Sequence, residues 1–172
     1  MAQNMARDRT LSLVTESHRR NLSVVSDNVS GMAHSWHPWR FLRDHLPGVE
    51  VAFPSNLREL GRCSPNLIEI DPTSNQAERR SSLTHEMLHL IRGTVHSESP
   101  GAQAEELIVE ELAARLLITL PSLLRALQWS QDDRELADEL WCDVRMVQTR
   151  RATLTQCERE WLDARLDDEG VA

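Results

Sequence analysis

Lysine and tyrosine are absent from this 172-residue chain, and cysteine occurs only three times. All nineteen basic residues are therefore arginines, a bias that fits genome composition and assigns no binding role. Cys63, Cys142 and Cys157 are odd in number and far apart, which argues against a disulfide framework and against a thiolate metal site. They read as free thiols, buried or partly buried. No apolar run approaches membrane-spanning length, and no charged-then-apolar leader precedes the folded part, so the expected location is cytoplasmic, with no membrane partner. The net charge of −8 argues against nucleic-acid binding driven by electrostatics alone. With 40% hydrophobic residues, the chain has the composition of one ordinary soluble core.

Residues 1–31 are polar, with scattered Asn, Ser, Arg and Asp, and read as a mobile tail, helical in part. The folded part opens at Trp36-His37-Pro38-Trp39. Trp39, Leu42 and Leu46 share a helical face, and aromatic residues at this spacing belong to a core more often than to a ligand site. Val49 to Phe53 and Asn66 to Ile70 alternate as strands, with a Pro-, Ser- and Gly-containing loop between them. Two short strands beside several helices define an α+β domain. After Pro121 the pattern is helical: Leu123 to Leu127 continues or restarts a helix, and Asp133–Trp141, Val144–Arg151 and Thr155–Leu166 follow. The segment from Ala137 to Arg150 is similar to a helix-turn-helix, with Asp143 as N-cap of the second helix. The acidic balance favours helices that cover a core, with Met146 and Val147 inward and Arg145, Arg150 and Arg151 in solvent. The acidic stretch Asp163 to Glu169 is expected to fray. The organisation is thus a tail (1–31), a core (32–128) and C-terminal helices packed on it (129–172).

The stretch His85-Glu86-Met87-Leu88-His89 is an HExxH pentad. It lies in a helical segment, Ala77 to Arg92, whose Leu83, Met87 and Leu90 keep the spacing of one buried stripe, with Gly93 as C-cap. Two histidines four residues apart share a helical face, so their imidazoles can close on one ion, with the intervening glutamate beside a water held there. By chance such a pentad is expected on the order of 0.03 times in a chain of this composition. Zinc is the implied cofactor, with three protein ligands and an open fourth position.

A second helical run, Ala102 to Leu127, offers the third ligand. Glu106 and Glu110 lie one turn apart on the face that also carries Val109, Ala113 and Leu117. Ala113-Ala114 would let this helix approach the pentad closely. We read Glu106 as the third ligand and Glu110 as holding a histidine ring by its other nitrogen; the two could exchange roles. Glu105 and Glu111 fall on a solvated face.

The run Glu78 to Gly93 resembles the ImmA/IrrE metallopeptidase family, in a short actinobacterial or phage form. The likeness extends to a strand ending in an acid (Leu67-Ile68-Glu69-Ile70-Asp71), to the glutamate helix with Ala113-Ala114-Arg115-Leu116-Leu117, and to Pro121. It departs in having Leu112-Ala113 where the family often has Phe-Ala, and in a later proline. The resemblance covers about residues 36–166. It implies a mostly helical zincin-like fold of gluzincin type, with a small sheet packed on the pentad helix and an edge that accepts extended substrate by strand addition. It also implies site-specific cleavage of a helix-turn-helix repressor of a mobile element or stress response. In that chemistry Glu86 is the general base. A second electrophile usually steadies the oxyanion; with no tyrosine available, His96 is the nearby candidate. The rival expectation is a non-catalytic, metal-containing regulator that binds a repressor or DNA.

Overall fold

Seven helices and one small sheet make up the computed structural model, which describes residues 36–93 and 101–169. The tail expected at 1–31 lies outside the described residues. The first helix, α1, spans Pro38–His45. Strands β1 (Glu50–Ala52), β2 (Gly61–Ser64) and β3 (Leu67–Ile70) follow. The rest is helical: α2 (Gln76–Arg92), α3 (Ala102–Leu117), α4 (Leu120–Trp129), α5 (Asp133–Leu140), α6 (Val144–Ala152) and α7 (Gln156–Glu169). The α+β class is as expected, and mostly helical. Among the described residues no helix is long and apolar enough to cross a membrane.

The sheet differs from the reading of two strands. Its order is β1-β3-β2, with β1 parallel and β2 antiparallel to the central β3. The additional strand, β2, occupies what reads as a loop, because it has little of the apolar alternation that marks a strand. Arg62 lies opposite Glu69 and binds it at 2.9 and 2.6 Å on one face of the sheet. Gly61 and Cys63 alternate to the other face. Along β3, Ile68 and Ile70 are fully buried.

Helix α2 is fixed at its start by a reciprocal cap. The Asn75 side chain accepts from the Glu78 N–H at 2.9 Å, and the Glu78 carboxylate accepts from the Asn75 N–H at 2.8 Å. It ends at Gly93, whose φ of 92° suits glycine and few other residues. Burial on α2 is wider than one stripe: Leu83, Met87, Leu88 and Ile91 are buried together with Ser81, Ser82 and Thr84, while Leu90 is only half-buried. The helix is covered on several sides at once. One cover comes from the N-terminal segment, where Trp36 rather than Trp39 is the buried tryptophan. Its indole N–H donates to Thr84 Oγ1 at 2.9 Å, and Trp39 is left partly exposed.

On α3, Val109, Ala113, Ala114 and Leu117 are buried as their spacing predicts. The helical run does not continue unbroken to Leu127. Ile118 turns extended, Thr119 caps a new helix, and Pro121 sits in its first turn, where its missing N–H costs nothing. The C-terminal helices are joined to α2 through buried polar contacts. Arg80 donates to the carbonyls of Trp36 and Trp141 at 3.1 and 2.8 Å, and the Asp143 N–H donates to Ser81 Oγ at 3.0 Å. Helices α5 and α6 are separated by a short turn that includes the left-handed Trp141, with Asp143 capping α6 as expected. Met146 and Val147 face the core.

Of the three arginines of α6 only Arg150 is buried; Arg145 stays exposed and Arg151 half-buried, each in an ion pair. Arg145 pairs with Glu110, buried Arg150 with Glu158, and Arg151 with Asp133. The Asp163–Glu169 stretch is helical rather than frayed. Among the cysteines, Cys142 is buried, Cys63 half-buried and Cys157 exposed.

Candidate metal centre

Helices α2 and α3 bring three ligand atoms to one point. His85 Nε2 and His89 Nε2 lie 3.1 Å apart. Glu106 completes the triangle, with Oε1 at 3.2 Å from His85 Nε2 and Oε2 at 3.2 Å from His89 Nε2. Zinc–nitrogen and zinc–oxygen bonds of ~2.0–2.1 Å give a tetrahedron edges of about 3.3–3.4 Å. The two histidine nitrogens are spaced almost as two corners of such a site, each faces its own Glu106 oxygen, and one donor atom from each of the three residues lies within 4.8 Å of the others, beside a cavity. Among the described residues these three form the one group of histidine, cysteine and acidic side chains able to hold an ion. Burial, partly offset by the Glu106 carboxylate, lowers the His85 pKa to about 4, which keeps the ring in the neutral form a metal requires.

Glu86 stands beside this triangle without joining it. Its position on α2, between the two histidines, turns it toward β2. A Cβ placed on Gly61 would sit 3.0 Å from both Glu86 Cγ and Oε1, so the strand's backbone forms a cradle that only glycine leaves open. Glu86 is 9% exposed. Burial, with the charges of Glu106 and Glu59 adding and the Cys63 thiol opposing, raises its pKa to about 7. Burial and the same carboxylate push the Cys63 thiol up to about 12, which makes it a neutral neighbour rather than a nucleophile. A buried carboxylate beside the ligand group can exchange a proton with a water placed there.

Glu110 does not play the part expected of it. It reaches no histidine ring by hydrogen bond. The Arg145 guanidinium engages both its oxygens, Nε at 2.6 Å from Oε1, and Thr149 Oγ1 donates to Oε1 at 2.8 Å. Burial opposes ionisation of Glu110, but these partners outweigh it and hold the carboxyl below its usual range. The reading of Glu110 as an alternative ligand fares no better, since it lies outside the converging group. Glu105 is not on a solvated face; it pairs with Arg92, the two oxygens at 2.5 and 2.9 Å from the guanidinium. Glu111 is partly exposed and pairs with Arg115. His96 lies outside the described residues.

The cavity in front of the triangle has a volume of about 600 Å³. Strand β2 and the preceding Glu59 and Leu60 form one wall, and Glu105, Glu106, Arg145 and Met146 line other parts of it. Gly61, Cys63, Arg145 and Thr149 are the site residues that sequence reasoning missed. Comparison of the chain with protein-family models, with curated proteins and with solved structures found no match.

Proposed function

We propose that the protein is a zinc-dependent metalloendopeptidase with a zincin-like fold of gluzincin type, resembling the ImmA/IrrE family and acting in the cytoplasm. The observation that carries this reading is the His85–His89–Glu106 group, its histidine nitrogens 3.1 Å apart and each 3.2 Å from a different Glu106 oxygen, opening on a cavity beside a carboxylate that is not part of it. His85, His89 and Glu106 would hold the ion. When bound there, zinc would acidify a water and polarise the carbonyl to be cut.

The protein's own residues account for the rest. Glu86, cradled by Gly61, accepts the proton of the attacking water on its carboxylate and delivers it to the leaving amide nitrogen. Strand β2 is an edge, paired only with β3 within the sheet, and it runs along the cavity. Its free side can take an extended peptide as an added strand, which lays the scissile bond across the site. The resemblance points to a repressor-type regulatory protein as substrate. A non-catalytic regulator gives no reason for a buried carboxylate next to the ligands and a glycine that makes room for it.

The test is Glu86→Gln in full-length protein. Wild type and variant should each bind one zinc per chain, and only wild type should cleave a co-expressed repressor and release its target genes. Relief of repression by Glu86→Gln to the wild-type level would show that the protein works by binding.

A further inference from the structure

We infer that Arg145, carried into the cavity by the C-terminal helix α6, is the second electrophile of the site. It would donate hydrogen bonds to the oxygen that gathers negative charge as the scissile carbonyl becomes tetrahedral. This rests on the metallopeptidase reading and adds a residue to it.

Three observations support the assignment. First, Arg145 lines the cavity, and its Nη2 lies 3.7 Å from Glu106 Oε1, one corner of the ligand triangle. Its charge is therefore beside the place where the oxygen would sit. Second, the guanidinium is held but not saturated. Glu110 takes Nε–H and one Nη2–H. A guanidinium has five N–H donors, so three make no protein hydrogen bond among the described residues, and the side chain is 57% exposed. A pin that served only to neutralise Glu110 would not need to face the cavity. Third, among the described residues the competing groups are otherwise engaged or missing. The chain has no tyrosine. Arg62, the other arginine lining the cavity, pairs with Glu69 on the sheet face opposite Gly61 and Cys63, and only Arg145 of the two lies beside Glu106. Glu110 and Thr149 then act as positioning residues, fixing the plane of the fork so that its free edge is set before substrate arrives.

Inorganic phosphate is a suitable probe, because it is a tetrahedral anion and no cleavage assay is needed. Full-length protein is loaded with cobalt(II), and phosphate is titrated while the cobalt absorption bands are followed. Wild type should bind phosphate. Arg145→Met should bind cobalt as wild type does but phosphate about tenfold more weakly, the scale of one charge-assisted hydrogen bond. Arg145→Lys should recover part of the loss. If Arg145→Met fails to fold because Glu110 is left unpaired, the double variant Arg145→Met with Glu110→Gln removes both charges together and should give the same result. Cobalt bound normally, with phosphate absent from wild type or equally tight in the variants, would overturn the assignment and leave the metal centre standing. Loss of cobalt on replacing Arg145 would make it a structural support of the ligands and overturn the assignment as well. Failure of wild type to bind cobalt would instead remove the metal centre, and this inference with it.

Discussion

Gly61→Ala is the sharpest perturbation that this geometry allows. The added Cβ would lie 3.0 Å from Glu86 Cγ and Oε1. Carbon atoms rest at ~3.5–4.0 Å, so the Glu86 side chain must give way by roughly 0.5 Å. Two effects on stability oppose one another. Crowding costs about 1 kcal/mol, the low end for overpacking, because a flexible side chain rather than backbone has to move. Replacing glycine restricts the unfolded chain and returns about 0.4–1 kcal/mol. The fold should therefore survive, with a Tm change under about 4 °C. Catalysis has no such offset. If a misplacement of ~1 Å costs about a hundredfold, half of that costs about tenfold. The assay is hydrolysis of an internally quenched peptide, selected from a random library on the zinc-loaded protein, with metal content measured on the same samples. The expectation is kcat lower by about tenfold, with KM and zinc unchanged. Gly48→Ala is the control, since a Cβ there meets nothing within 4 Å. A wild-type rate for Gly61→Ala would refute the claim that β2 positions the base; loss of zinc would mean that the strand supports the ligands instead.

The two glutamates of α3 should separate. Glu106→Gln should weaken zinc binding by more than about a hundredfold, because it removes a charged corner of the triangle, whereas Glu110→Gln should weaken it less than about tenfold, below the range typical of groups that orient a ligand; equilibrium dialysis decides, and equal losses would contradict the division of roles. Loss of Glu110's charge-assisted bonds should instead appear as about 1–3 kcal/mol of stability in urea unfolding. Glu158 governs acid stability. Although burial opposes its ionisation, bonds from Arg150, the Thr155 N–H and Arg115 lower its pKa to about 2. Its contribution is therefore present above the ordinary carboxylate pKa of about 4.5 and is lost as pH falls toward 2. Glu158→Gln should remove about 3 kcal/mol at pH 7, the cost of stranding buried Arg150, and should flatten the acid limb of the stability curve; an unchanged limb would refute the assignment.

Much of this fold follows from local pattern, and the exceptions have identifiable causes. The pentad helix could be placed because a 3.6-residue apolar repeat ends at Gly93. The Asn75 and Glu78 pair, a reciprocal cap, was a further start signal in plain view. Strand β2 could not be placed this way. Gly-Arg-Cys-Ser has no apolar alternation, and each residue answers to something outside the strand: Arg62 to Glu69 across the ladder, Gly61 to the carboxylate of Glu86. The first helix is legible in the sequence, but the buried tryptophan lies outside it. The helical face of Trp39 is real, yet Trp36, before the helix begins, reaches Thr84, 48 residues further on.

The site divides along the same line. His85, Glu86, His89 and Glu106 are set by spacing within two helices, so their convergence could be anticipated from the sequence. Glu110 was placed on the correct face and given the wrong partner. Helical periodicity states which way a side chain points but not which element fills the space there. What fills it is α6, whose Arg145 and Thr149 come 35 and 39 residues after Glu110. The same packing places the helix-turn-helix spacing against the core, with the arginines of α6 paired to Glu110, Glu158 and Asp133. A helix that would have been an outward-facing module becomes the wall that completes the cavity. The C-terminal segment covers the core, with Met146 and Val147 inward, and also lines the cavity through Arg145 and Met146. Removing α6 should abolish the proposed peptidase activity even if His85, His89 and Glu106 still gather an ion.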